Sequence, residues 1–280
     1  MSRGRPGSGT DPLLVVPALA VIALVAIVPM AWTAWESLHH HDLRMPWLGR
    51  PFIGLANYRE AFGDPRLAEA ALHTAAFMAL SLVVQVGLGL VYALAMSRTR
   101  RGRALVRIVV LAAWAVPTVV AALAWRFMFE GSPALVHPQL AWLPILLADT
   151  WKMTPFVALI LLAGLEGIDP ALYDAARLDG AGSWQQFREI TLPLLQPAML
   201  VAILFRSLDA FRVFDVIFVM TGGGPGTATE PVSLYTFTTL LQHLRFGYGA
   251  ALSMLVFIAA FAGALLYVRL WGRGLTGSRP

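Results

Sequence analysis

Six ionisable residues stand inside otherwise apolar stretches of this chain, in two groups: Asp149 with Lys152, and Arg206, Asp209, Arg212 and Asp215. Within each group the sign alternates at steps of three. That step puts neighbours on one helix face, so Asp149 is expected to pair with Lys152, and the second group forms a ladder over about 13 Å of helix rise. A charged residue at the centre of a membrane helix opposes insertion by roughly 2.5–3.5 kcal/mol, so such groups face a partner or a water-filled cavity. Aromatic residues accompany both groups: Trp151 and Phe156 beside the first, Phe205, Phe211, Phe214 and Phe218 beside the second. Carboxylates accept hydrogen bonds from hydroxyls, Arg and Lys donate to them, and an aromatic ring covers the apolar C–H face of a pyranose. This is the chemistry of a sugar site. The same charges also suit a structural ladder that locks one span to its neighbours, and the sequence leaves both readings open. A proton relay favours unpaired acids or histidines, whereas each acid here has an Arg or Lys three residues away.

Little else in the chain is equipped for chemistry. Cysteine is absent, which removes disulfides, thiolate nucleophiles and Cys-ligated metal sites. The six histidines are the run His39, His40 and His41 with His73, His137 and His243 scattered, a loop and interface pattern rather than a metal site. Thr221-Gly-Gly-Gly-Pro225 has the glycines of a phosphate loop, but no Lys-Ser/Thr follows and no strand-to-helix setting surrounds it, so it reads as a turn. A net charge of +5 does not indicate nucleic acid, because the arginines gather beside apolar spans and no aromatic-interleaved basic surface appears. No catalytic residue, metal or bound cofactor is expected, and without a Gly-Lys-Ser/Thr loop the chain has no means of hydrolysing ATP.

The elements that must position the charged groups are membrane spans. Of the 280 residues 58% are hydrophobic and 13% charged, against roughly 25% charged in a soluble domain. Six segments, at roughly 13–35, 72–96, 104–128, 140–165, 198–219 and 247–271, have the apolar length to cross a bilayer. An all-α integral membrane protein with six transmembrane helices is expected. The first segment follows Arg3 and Arg5, yet its apolar run exceeds a signal-peptide core and lacks a clear cleavage site, so it is expected to be retained. Arg98, Arg100, Arg101, Arg103 and Arg107 crowd the second loop, whereas 129–139 holds no Lys or Arg. Positive charge in short loops stays in the cytoplasm. Together with Arg3, Arg5, Arg269, Arg273 and Arg279 this predicts an N-in, C-in orientation and a cytoplasmic loop at 166–197. Residues 1–12 and 272–280 are then cytoplasmic tails around one membrane domain at 13–271, with 1–10 disordered. The long external loop, about 36–71, is expected to pack on the outer membrane face.

Loop 166–197 carries helix signals of its own. Asp169 is a good N-cap, Pro170 suits the first helical position, and Gly180 and Gly182 end the helix. Ser183 with Gln186 has capping-box spacing for a second short helix bearing Phe187 and Ile190, before Pro193 and Pro197 interrupt the approach to the fifth span. Asp174 lies in the first turns with Arg177 three residues on to pair with it. Ala175, Ala176 and Gly180 leave little side chain, so another backbone can approach closely. A docking knob has this form, and so does an interfacial helix packed on its own spans.

Asp174-Ala175-Ala176, Gly180 and Ile190-Thr191-Leu192-Pro193 match in order and spacing the signature loop of permease subunits of binding-protein-dependent ATP-binding-cassette importers. Asp174 stands where Glu is commoner, keeping the charge and shortening the reach. The resemblance covers nearly the whole chain. Within the family it is similar to the maltose/trehalose and glycerol-phosphate type sugar permeases, through Phe52-Ile-Gly-Leu-Ala-Asn-Tyr58, Trp151 with Pro155-Phe156, Thr221-Gly-Gly-Gly-Pro225 and Phe246-Gly-Tyr-Gly-Ala250. The stretch Phe205-Arg-Ser-Leu-Asp-Ala-Phe-Arg-Val-Phe-Asp215 resembles that of mycobacterial trehalose permeases.

This resemblance implies a type I, maltose-permease-like fold in the bacterial cytoplasmic (inner) membrane. It implies as partners a second homologous permease, two cytoplasmic ATPase subunits that bind ATP and Mg, and an extracytoplasmic sugar-binding lipoprotein. Asp174, Ala175, Ala176, Arg177, Gly180, Ile190, Leu192 and Pro193 would then form the ATPase-coupling surface, with Asp174 meeting a basic group. The sugar would lie against Asp149, Lys152, Met153 and Phe156 before the loop and Arg206, Asp209 and Arg212 after it. A disaccharide is implied, trehalose ahead of maltose, with glycerol phosphate as the anionic alternative that Arg206 and Arg212 would suit. An ion-coupled secondary transporter and a membrane scaffold are the competing classes.

Overall fold

Prolines and glycines decide where the helices of this chain break and where they touch. A computed structural model describes residues 12–99 and 102–275, and the described residues form helices and no strand. The tail at 1–10, Arg100, Arg101 and Arg279 lie outside them, so that part of the orientation argument has no structural counterpart. Helix α1 runs through Pro12–Ile22, a π-helical turn at Ala23–Ile27 and Val28–Glu36, and α2 is Ala56–Phe62. Then follow α3 (Pro65–Arg98), α4 (Arg103–Ala115), α5 (Thr118–Met128), α6 (Trp142–Glu166), α7 (Pro170–Leu178) and α8 (Ser183–Phe211). Short α9 (Asp215–Met220) and α10 (Val232–Phe237) precede the long α11 (Phe246–Leu275).

Five of these helices are long and apolar enough to cross a membrane, in α1, α3, α6, α8 and α11. The expected span at 104–128 is instead a broken pair, α4 and α5, bent by 85°. Pro117 is the cause: the residue before a proline is pushed out of the helical region, and Val116 is accordingly extended at φ −64°, ψ 131°. Counting the pair as one span gives six. The fifth expected span, 198–219, also differs. Its helix begins much earlier and ends at Phe211, with Arg212 as its C-cap, so Asp215 opens a separate helix and the charge ladder is broken.

The chain divides into two compact units. In Met1–Asp64 with Thr236–Leu255, two motifs singled out in the sequence hold the same stretch of backbone, residues 37–41. Asn57, buried, donates from its amide to the carbonyls of Ser37 at 2.7 Å and His39 at 3.0 Å. A Cβ on Gly247 would stand 2.1 Å from the His39 carbonyl oxygen, which is why glycine is required there. Tyr248 donates to Asp64 at 2.7 Å, and Arg245 pairs with Glu60 at 2.7 Å. In the loop between α1 and α2, Arg44 donates to Asp42 through Nε at 2.9 Å and Nη2 at 2.6 Å. These bonds hold the Asp42 carboxyl at a pKa of about 2, against the partial opposition of its burial.

The other unit, Pro65–Tyr235 with Val256–Pro280, contains the charged residues. Its core is Ala93, Met96, Val157, Ala158, Leu161, Leu162, Leu195 and Ala202, contributed by α3, α6 and α8. Gly89 brings α3 onto α6, since a Cβ there would lie 2.6 Å from Val157 Cγ1, and Gly164 brings α6 onto α8, 2.5 Å from Ala198 Cβ. Small residues at these crossings are how membrane helices approach without a hydrophobic drive between them. Thr221-Gly-Gly-Gly-Pro225 is the turn expected of it: Gly222 and Gly223 have φ of 63° and 90°, and Thr229 donates to the Gly224 carbonyl at 2.9 Å.

Candidate functional site

The charges on α6 and α8 do not pair as their spacing suggests. Arg206, 1% exposed, lies among three helices and uses a different nitrogen for each contact. Its Nε donates to Gln85 on α3, its Nη2 to Asp149 on α6, and its Nη1 to Asp209 on its own helix at 2.7 Å. Gln85 closes the ring by donating from Nε2 to Asp149 Oδ2 at 2.7 Å. Asp149 therefore pairs with Arg206, 57 positions away, and not with Lys152. The planar guanidinium explains the choice, because it offers separate donors in fixed directions where an ammonium is a point charge.

Lys152 instead caps a helix. Its Nζ donates to the carbonyls of Trp114, at 2.9 Å, and Val116. The break at Pro117 leaves these carbonyls at the negative end of α4 without helical donors, and a cation supplies what they lack. The capped break and the α6–α8 pairing then frame two adjoining cavities. The larger, about 600 Å³, has Trp114, Met153, Phe156, Phe205, Arg212 and Phe257 in its wall, with Arg206 and Asp209. The smaller, about 230 Å³, is lined by Asp149, Lys152, Met153, Arg206, Asp209 and Arg212 among others. All of the residues expected to contact a sugar thus border these two spaces. Phe156 stacks on Trp114 at 5.6 Å between centroids and meets Phe205 edge-on at 6.5 Å. Trp151 does not join them; it packs on Trp125 at 6.4 Å.

The geometry divides the labour among these groups. Arg206 and Asp149 are engaged with each other and with Gln85, so the ladder reading describes them best. Asp209 has its side chain 41% exposed and only one oxygen engaged by Arg206. Arg212 is exposed at the end of α8. Asp209 and Arg212 are the polar groups available to a guest, beside an aromatic wall. Two contributors were missed in the sequence, Gln85 and Trp114. Gln85 had a signal, as an amide in the middle of the apolar run of α3, a placement that needs a partner. Trp114 had none, because its approach depends on the bend at Pro117.

The connection between α6 and α8 is the second part of the site. Asp169 caps α7 by accepting from the Ala171 N–H at 2.9 Å. At the other end Gly180 has φ +80°, Ala181 donates to the Ala176 carbonyl at 2.9 Å and Gly180 to that of Arg177 at 3.1 Å, a Schellman ending. Asp174 and Arg177 form an exposed pair at 3.0 Å, Ala175 is exposed, Ala176 half-buried, and a Cβ on Gly180 would meet nothing within 4 Å. The capping box is not formed: Gly182 is the N-cap, and Gln186 donates from its side chain to the Ala181 carbonyl at 2.8 Å. Nor do the prolines interrupt. A π-helical turn at Phe187–Thr191 carries the chain straight into Pro193, whose missing N–H costs least where the helical bonding has already slipped by one residue. Ile190 is half-buried there, while Leu192 and Pro193 are exposed. Tyr173 bonds Thr191 at 3.0 Å and fixes α7 to the root of α8.

A family profile, the inner membrane component of binding-protein-dependent transport systems, matches residues 85–272. The chain belongs to that family. The matched stretch begins at Gln85 and contains both cavities, α7 and α8. Among relatives of this transport component, the trehalose/maltose transport system permease protein MalF of Thermococcus litoralis is 37% identical over 273 residues, covering 92% of each chain. The trehalose transport system permease protein SugA of Mycobacterium tuberculosis is 36% identical over 280 residues, 96% of this chain and 90% of that one. A chain of a bacterial ABC transporter involved in the import of the acidic polysaccharide alginate superposes with a TM-score of 0.78 at 21% identity, over 93% of this chain and 94% of that one. The fold is therefore that of an ABC importer permease, a multi-pass membrane protein.

Proposed function

We propose that this chain forms half of the translocation pathway of an ATP-driven carbohydrate importer and passes the motion of its ATPases to the solute site. The observation that carries this reading is connectivity: α6 and α8 both wall the cavities, and the exposed α7 is the link between them. A push on α7 has to move the helices that hold Asp209 and Phe156. A disaccharide is the favoured solute, trehalose or maltose, supported by what the relatives' names say they carry and by an aromatic wall beside Asp209 and Arg212. Glycerol phosphate is the alternative that Arg212 would serve. On this reading the loop faces the cytoplasm of a bacterial inner membrane. ATP and Mg bind the two ATPase subunits, a second permease completes the pathway, and an external binding lipoprotein delivers the sugar. The chain itself binds no cofactor and catalyses nothing.

The test is reconstitution of the complete complex, with trehalose, maltose and glycerol phosphate compared as stimulants of ATP hydrolysis. Either disaccharide is expected to exceed glycerol phosphate. A Cβ on Gly180 meets nothing within 4 Å, and in Gly180→Leu the strain of the positive φ is confined to an exposed helix end. The variant should therefore insert normally, lose uptake and no longer retain the ATPase on purification. Normal uptake by that variant overturns the coupling assignment, and gradient-driven uptake by this chain alone in proteoliposomes would make it a secondary transporter.

A further inference from the structure

Asp149 and Arg206 border the cavities, and Gln85, the third member of their ring, lies behind them with no surface in either space. Each member stands on a different helix, and they are 0%, 8% and 1% exposed. Arg206 cancels the charge of Asp149, so with Asp209 the group keeps one net negative charge, carried by the member that is open to the cavity. Arg206 therefore fixes where Asp209 points, and Gln85 fixes Arg206 by accepting from its Nε while donating to Asp149. Gln85 also stands on the one helix of the three that is not attached to the α7 connection.

We propose that Gln85 is a positioning residue for solute recognition: it holds the Asp149–Arg206 pair so that Asp209 presents a fixed carboxylate to the transported molecule. This rests on the reading of the cavities as the solute site. With Gln85 in place the Arg206 guanidinium has a partner for every nitrogen on the buried side and stays there. Without it, a buried N–H is left unpaired, which is costly enough to turn the guanidinium elsewhere, and the open direction is the cavity.

The chemistry of the ring permits a test by exchange. Combining Gln85→Glu with Asp149→Asn makes the carboxylate and the amide trade places, which conserves net charge. The carboxylate now on α3 accepts from Arg206 Nε, and the amide now on α6 turns away from the present arrangement, in which Gln85 and Arg206 share Asp149 Oδ2, so that its nitrogen donates to that carboxylate and its oxygen accepts from Arg206 Nη2. In the complete reconstituted complex, with trehalose and maltose as probes, Gln85→Glu and Asp149→Asn are each expected to raise the half-saturating solute concentration for ATPase stimulation about tenfold, with a smaller change in the maximum. The double variant should return to within about threefold of the parent. A merely structural role moves assembly and the maximum rather than half-saturation. If the single variants do not assemble, recovery of assembly and of half-saturation together in the double variant supports the proposal. A double variant no better than the worse single one overturns it. Asp209→Asn separates the two layers of the argument. If it raises half-saturation while the ring variants do not, the positioning role fails and the solute site stands; if it leaves half-saturation unchanged, the solute site fails.

Discussion

Among individual residues, the ones that most resist inference from sequence are those whose partner is chosen by geometry rather than by spacing. Asp149 and Lys152 have the spacing of an ion pair, and each found a better partner: Asp149 a guanidinium with directed donors, Lys152 two carbonyls that a proline had left open. Asp42 is a case outside the membrane where spacing and partner agree. Arg44, two residues on, binds its carboxylate through side chain and backbone N–H, and the Asp42 pKa falls to about 2. A carboxyl held below its unfolded value stabilises the fold fully above about pH 4 and loses that contribution as the pH falls towards the folded value. The stability difference between the parent protein and Asp42→Asn should therefore be flat from neutral pH down to about pH 4 and shrink below it, as read from melting temperatures of the detergent-purified protein.

At the scale of the element, two glycines of α3 make opposite predictions. Gly89→Ala drives a Cβ into Val157 and towards the Ala158 backbone, and should destabilise by about 1–3 kcal/mol. Gly87→Ala meets nothing within 4 Å and should be neutral or stabilising by up to about 1 kcal/mol from helix propensity. Melting temperatures of the two variants measured side by side check the pair. The helices themselves were largely legible: apolar runs located α1, α3, α6, α8 and α11, and the signals at Asp169, Pro170 and Gly180 bounded α7. What sequence did not convey was how a proline would be absorbed. Pro117 breaks a span by 85°, whereas Pro193 and Pro197 sit in a helix that does not stop, because a π-helical turn takes up the first and the second is already within it. Site residues were legible to the same extent. Charged and aromatic types in apolar runs marked Asp209, Arg212 and Phe156, while Trp114 reaches the cavity only through the bend.

For the molecule as a whole, the proposed orientation can be read without any activity. The parent has no cysteine, so a single introduced thiol gives an unambiguous label. Trp184→Cys, on the exposed surface beside α7, should react with a membrane-impermeant maleimide in inverted vesicles and not in intact cells, and Glu130→Cys, in the loop after α5, should do the reverse. Labelling of Trp184→Cys in intact cells and not in inverted vesicles would reverse the assignment of loop 166–197. The continuity of α8 has a mechanical consequence. From Ser183 to Phe211 it is one rod, gripped by the buried Arg206 near its far end. The arm from the grip to Ser183 is about 35 Å and the arm to Phe211 about 8 Å, from the helical rise per residue. A rod turning about that grip reduces travel roughly fourfold and multiplies force in proportion. Shifts of several ångströms at Ser183 would arrive at Phe211, two residues past Asp209, as about one, which is the size of change that makes or breaks a hydrogen bond.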